Sequence, residues 1–409
     1  MSLKIIRNIF ILLTLLVLSF GVGYSLGVKG VNITTNGISS LEITSKTSSK
    51  YSSVDFSLFW DVWDRLNRYY IDKKAVDAEK MVFGAISGMV SSLGDPYTVF
   101  LPPDQNKDAK DDLGGRFEGI GAQLGVKDKK IVVVAPLKGA PAESAGLKAG
   151  DWIIKVDNQE TASWTLPYAV SKIRGEKGSK VVLTVLHKAA EKTEDITVTR
   201  DSIKVASVEW EIKNVKNEDK IIYLKLSRFG DDTTNEWNKA VDEIVETIGQ
   251  PNSPEGLVFD LRNNPGGYLS GSVFIASEFL SDGIIVIQEN TGGRETVYKV
   301  NRTGKLLTIP IVVLINKGSA SASEIVAGAL RDRNRATLVG ETSFGKGSIQ
   351  EAQELANGSG IHITTAKWLL PSRKWINGTG LEPDIKQEND DKKPDTDLQL
   401  EKAIEILLK

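Results

Sequence analysis

The apolar residues of this chain change period several times, and each change predicts a different element. An uncharged stretch over residues 8–28 follows Lys4 and Arg7. It is long enough to span a bilayer, and its positive flank predicts the N-terminus in the cytoplasm and the body outside. A cleaved signal peptide has a similar signature, but the run is long for one and no small-x-small site ends it, so an uncleaved anchor over residues 1–30 is expected. Residues 31–53 are dominated by Ser, Thr, Asn and Lys, cannot pack a core and read as a linker. From Asp55 the spacing becomes helical: Phe56, Phe59, Trp60, Trp63, Leu66 and Tyr70 recur at three and four. A second helix is predicted over residues 77–93, with Met81, Ile86, Met89 and Val90 on one face. The aromatic stripe predicts packing between these two helices of an N-terminal helical region, residues 54–113.

Between residues 117 and 200 the pattern shifts to short β-like runs separated by glycines: "IGAQLGV", "KIVVVAPL", "DWIIKVD", "KVVLTVLHK" and "DITVTR". The helical pieces "APAESAGLKAG" and "TLPYAVSKIRG" interrupt them. The ordered set of "GIGAQL", "GAPAESAGLKAGDWIIKVDNQ" and "IRGEKGSKVVLTV" resembles a PDZ domain, placed here at residues 114–204. Glycines at 119 and 121 would let backbone amides converge on a terminal carboxylate, and the strand after them would offer an edge to a peptide. The peptide-binding candidates are therefore Gly119, Ile120, Gly121, Ala122, Gln123 and Leu124.

From Ile221 onward strands and helices alternate: "IIYLKL", a helix over 233–248, "GLVFDLR", a helix over 268–280, "IVVLIN", a helix over 323–331 and "ATLVG". That order implies a mixed sheet covered by helices over residues 205–390, with its site where strands end, and a C-terminal helix over 391–409. The fold class is thus α+β and multidomain: anchor, helical segment, β-rich PDZ domain and mixed α/β core.

Charge narrows the partners. With 51 Lys and Arg against 53 Asp and Glu, spread along the 409 residues, nothing suggests nucleic acid. The chain has no cysteine, which removes thiolate chemistry, disulfides and cysteine metal sites. Only His187 and His362 could serve as histidine bases, and both lie in strand-like runs. A desolvated lysine is the other option, because burial penalises the ammonium.

Three segments carry the candidate chemistry. "GLVFDLRNNPGG" ends a strand in two glycines whose amides could stabilise an oxyanion. "NKGSASASEIVAGAL" puts serines at a strand-to-helix junction, where a helix N-terminus favours negative charge. "ETSFGKGSIQ" sets Lys346 between two glycines. The junction alone does not choose among Ser319, Ser321 and Ser323, and Ser321 to Glu324 also spells a capping box.

Together with "VWDRLNRYYID", "SLGDPYTVFL" and "KLSRF", these segments resemble the carboxyl-terminal processing proteases over most of the body. That resemblance implies Ser321 as nucleophile, Lys346 as general base, Gln350 orienting the lysine amine, and Gly267 and Ala322 as oxyanion amides, with Gly266 adjacent to the first. It also implies that Arg174 couples peptide binding to activity, and that the PDZ domain moves between resting and active arrangements. The expected enzyme is a membrane-anchored serine endopeptidase of the cell envelope. It needs no metal or organic cofactor, acts on exported proteins with apolar C-termini, and works alone, as a homodimer or with an adaptor. A catalytically silent PDZ scaffold is the alternative.

Overall fold

The computed structural model describes residues 54–409 except 129, 189, 216–218 and 391–395. The expected anchor and linker lie outside the described residues. Among those described, no helix is long and apolar enough to cross a membrane.

The chain divides into two compact units at Val76. In the first, α1 (Ser57–Tyr69) forms where the three-four spacing placed it, but none of its residues is buried. Within this unit Phe56, Trp60, Leu66 and Tyr70 of the stripe are exposed, and Phe59 and Trp63 are half-buried.

The second unit opens with α2 (Ala78–Ser91), capped by the Asp77 carboxylate, which accepts from the Lys80 amide. After it come β1 (Val99–Leu101) and α3 (Pro103–Leu113), the latter started by a proline at its first position. β2 (Arg116–Gly119) leads into a six-strand antiparallel sheet in the order β3 (Ala122–Lys127), β4 (Lys130–Pro136), β5 (Trp152–Val156), β7 (Lys180–Leu186) and β8 (Glu194–Thr199), with β6 (Gln159–Glu160) also paired to β5. A short α4 (Pro141–Ser144) follows β4; β6 and α5 (Leu166–Ile173) lie between β5 and β7. β9 (Asp201–Lys204) returns to pair with β2. Ile120, Val133, Ile153, Ala169, Ile173, Leu183 and Val198 fill this domain's core. Pairing only with β4, β3 lies at the edge of the sheet, and α5 runs beside it.

A second domain follows with β10 (Val208–Asn214), β11 (Lys220–Leu226), α6 (Thr233–Ile248), β12 (Gly256–Asp260) and α7 (Leu269–Ala276). Next are the hairpin β13 (Ile284–Asn290) and β14 (Glu295–Lys299), then β15 (Ile311–Ile315), α8 (Ala322–Asp332) and β16 (Thr337–Gly340). β17 (Ser348–Glu354), β18 (Gly360–Leu369), β19 (Ile385–Lys386) and α9 (Leu398–Leu407) complete the chain. One sheet runs β10-β11-β12-β15-β16-β19, parallel from β11 onward. Every residue of β12 and β15 is buried, as expected of parallel strands covered on both faces. One face packs a large core that includes Trp237, Phe259, Phe279 and Ile325; the other receives Ala403 of α9 against Val258, Val312 and Leu314. An antiparallel sheet, β1-β18-β13-β14 with β17 also on β18, stands beside it. β1 thus draws the segment after α2 into the second domain, pairing Val99 with His362.

Candidate active site

The site forms at the carboxyl ends of β12 and β15. After β15, Asn316 to Ala320 turn sharply into α8, and Ser321 occupies the N-cap with φ 54° and ψ −114°. A non-glycine residue in that region costs roughly 1–3 kcal/mol, and a serine on a strained strand-to-helix turn has its hydroxyl thrust outward.

The three hydroxyls of this turn divide sharply. Ser319 Oγ donates to the Leu261 carbonyl at 2.8 Å and accepts from the Asn316 amide at 3.0 Å. Ser323 Oγ donates to the Asn264 carbonyl at 2.9 Å. Both residues are fully buried. Ser321 and Glu324 take the capping-box arrangement at the start of α8, but the serine makes no side-chain cap hydrogen bond of ordinary geometry, and it lines a cleft of about 640 Å³. Two serines hold the turn in place, and the one between them is left for solvent or substrate.

Facing it is the turn after β12. Gly266 and Gly267 have φ of 100° and 139°, open to glycine but strained for other residues. A Cβ on Gly266 would stand 2.9 Å from Ser321 Cβ, and one on Gly267 would stand 2.1 Å from the Phe229 carbonyl. The Gly266 amide is already spent on Asn264 Oδ1 at 2.9 Å. Among the described residues, the amides of Gly267 and Ala322 donate no hydrogen bond within the chain, which favours Gly267 over Gly266 as a donor toward the cleft. Asn264, fully buried, ties this turn together: Nδ2 donates to the Leu226 carbonyl at 2.8 Å, and its own carbonyl accepts from the Ala320 amide at 3.0 Å. Nothing in the sequence separates Asn264 from its neighbour Asn263.

The lysine comes from the other sheet's side. Lys346 lies just before β17 and lines the same cleft, as do Gln350 and His362. Burial pushes its ammonium below the ordinary lysine range, against the pull of Asp95 and Glu324. Its Nζ rests over the Tyr97 ring, 5.1 Å from the centroid, and the Trp368 indole donates to its carbonyl at 2.9 Å. Gln350 does not hold the amine here; its Nε2 donates to Ser348 Oγ at 2.9 Å and Thr364 Oγ1 at 3.1 Å. Burial and the nearby Lys346 charge push His362 below the ordinary histidine range.

Glu324, which the sequence offered only as a capping residue, is fully buried. Its Oε2 accepts from the amides of Ser321 and Lys346, and its Oε1 from the Gly345 amide at 2.7 Å and the Ser343 hydroxyl.

In the smaller domain only Gly121 makes the expected glycine turn, at φ 71°; Gly119 ends β2 opposite Asp201. Ile120 is buried, and its amide and that of Gly121 donate nothing within the chain among the described residues. Ala122, Gln123 and Leu124 form the start of β3. Arg174, which caps α5, lies with its guanidinium 5.1 Å from the Phe117 ring; burial raises the carboxyl of Asp112 on α3 against the pull of Arg174. Asp112 lines the cleft, so Arg174 stands where the two domains meet.

Comparison with known proteins bears on this arrangement. Profiles match for Peptidase family S41 over residues 220–387, a PDZ domain over 132–186, and the activating protease CtpB N-terminal domain over 18–105. The carboxy-terminal processing protease CtpA of Bacillus subtilis is 38% identical over 332 residues, covering 80% of this chain and 69% of that protein. The chain belongs to the carboxy-terminal processing proteases, serine-type peptidases of family S41. Its B. subtilis relative CtpB is also 38% identical, over 84% of this chain and 70% of that one. Among solved structures, the photosystem II D1 C-terminal processing protease matches with a TM-score of 0.51 at 29% identity, over 86% of this chain and 96% of that one. A Bacteroides fragilis protein described as a putative S41 protease shares the fold, with a TM-score of 0.57 at 17% identity over 85% of this chain and 96% of that one. The processing-protease fold therefore accounts for both domains of the second unit.

Proposed function

We propose that this protease is an exported, membrane-anchored endopeptidase with a Ser321/Lys346 dyad, fed by PDZ capture of apolar C-terminal tails. The observation that carries the reading is the pairing, in one cleft, of the strained serine whose hydroxyl the turn does not use with a lysine whose ammonium burial disfavours. Neutral Lys346 takes the proton from Ser321 Oγ, which attacks the peptide carbonyl. The tetrahedral oxygen is held by the amides of Gly267 and Ala322, and collapse expels the amine, which takes the proton from Lys346. Water, deprotonated by the same lysine, then cleaves the acyl-enzyme. The Ile120 and Gly121 amides receive the tail's carboxylate, and its strand adds to the edge of β3. Export and anchoring rest on residues 1–30 alone. The exposed face of α1 supports docking of a second copy or an adaptor there, which sedimentation with and without α1 would test.

A soluble form beginning at residue 54 should digest unfolded casein, and Ser321→Ala and Lys346→Ala should each abolish this. Retained cleavage in Lys346→Ala with loss in His362→Ala would overturn the dyad. Peptide binding without turnover in the unsubstituted protein, and no labelling by a serine-directed fluorophosphonate, would leave the scaffold alternative.

A further inference from the structure

The segment between α2 and β1, Gly94 to Thr98, supplies two groups to the lysine that the reaction scheme does not use. The Tyr97 ring lies beneath Lys346 Nζ at 5.1 Å. An aromatic face attracts the ammonium and has no such attraction for the neutral amine. Asp95 is fixed nearby: Oδ1 accepts from the Tyr97 amide at 3.0 Å and Oδ2 from Thr98 Oγ1 at 2.7 Å. Thr98, buried, accepts in turn from the Thr364 amide at 3.0 Å. Burial pushes Asp95 up, but hydrogen bonds from Thr364, Thr98 and the Tyr97 amide overcome it, so the carboxyl stays ionised.

The Thr364 hydroxyl, hydrogen-bonded to Asp95, accepts from Gln350 Nε2 at 3.1 Å. Gln350 is therefore tied to the Asp95 corner. The charged and titratable groups around Lys346 come from three elements: Asp95 and Tyr97 from this segment, Glu324 from α8 and His362 from β18. Glu324 is saturated by three amides and a hydroxyl, which leaves Asp95 as the carboxylate whose charge is not committed to the lysine's own backbone.

We propose that Asp95 and Tyr97 are positioning residues that seat the protonated, resting Lys346 over the ring, and that Thr364 links this seat to Gln350. The proposal rests on the dyad reading. Leaving the seat requires loss of the ammonium's proton or displacement by substrate, so the corner sets the pH at which the base becomes available. It holds the charged form and competes with Ser321 for the amine.

The test is the pH dependence of kcat/KM on casein and of fluorophosphonate labelling at Ser321, the second readout being independent of tail capture. Asp95→Asn and Tyr97→Leu should each move the acid limb to lower pH, with labelling below the wild-type limb raised several-fold. Tyr97→Phe, which keeps the ring, should follow the wild-type profile. A profile for Tyr97→Leu that is superimposable on wild type, or lowered equally at every pH, would overturn the seat, and it stands even if Asp95→Asn folds poorly. Failure of the dyad itself would show differently, as labelling and cleavage that persist in Lys346→Ala.

Discussion

The amides of Ser321 and Lys346 donate to the same atom, Oε2 of Glu324, at 2.8 and 2.9 Å. One buried carboxylate thereby fixes the backbone of both proposed partners. Glu324→Gln can present only one accepting oxygen to four donors, and each buried donor left unpaired costs about 1–3 kcal/mol. The variant should unfold at least about 2 kcal/mol more easily in urea and lose cleavage by more than its stability loss explains at a temperature where it remains folded.

A lysine acting as a neutral base ties activity to its deprotonation. Burial lowers the Lys346 ammonium, so cleavage should rise with pH along a limb that lies below the ordinary lysine value of 10.5. Lys346→Arg keeps a charged, similarly long side chain that does not deprotonate, and should cost roughly a thousandfold in kcat with the circular dichroism spectrum unchanged.

Arg262 anchors the start of the turn that carries Gly266 and Gly267. Its guanidinium contacts Asp260 at 2.6 Å and Asp397 at 2.8 Å, and the Asp260 side chain is 3% exposed. Tyr223 donates to the same carboxylate at 2.6 Å. Arg262→Leu strands a buried carboxylate and should destabilise the second domain by about 3–5 kcal/mol, measured by urea unfolding.

In the PDZ domain Asp151 Oδ1 lies 2.8 Å from His187 Nδ1 and raises its pKa above the ordinary 6.5. The folded domain then binds the proton more tightly than the unfolded chain. The stabilisation is complete below pH 6.5 and is lost as pH rises through the higher folded value. Hydrogen-exchange protection of β7, corrected for intrinsic rates, should fall over that window in the wild type and not in His187→Gln.

Elements with a strong period were legible from the chain: α6 spans Thr233–Ile248 as its spacing predicts, and the apolar runs of β12 and β15 are parallel core strands. Polar elements were not. The charged α3 and the strand β17, "SIQEAQE", lack an apolar period, because β17 pairs only with β18 and its other edge meets no strand among the described residues. The stripe of α1 was read correctly as helical, and periodicity reports that a face is apolar, not what covers it. At the site, the sequence located the serine junction, but family resemblance was needed to pick Ser321. What distinguishes the three hydroxyls is tertiary: those of Ser319 and Ser323 bond to the carbonyls of Leu261 and Asn264, both distant in sequence. The contribution of Asp95 and Tyr97 was hidden for the same reason, since β1 carries them to Thr364 across a separation that no local pattern encodes.

The shared oxygen of Glu324 also sets the mechanics of the proposed base. With its amide clamped to α8 and its carbonyl held by the Trp368 indole, Lys346 is a jointed arm on a fixed pivot. The amine can travel only as far as its four methylenes swing. Under the proposed mechanism, the passage of the Lys346 amine from the Tyr97 ring toward Ser321 is a change of side-chain rotamers that leaves the backbone of both sheets in place.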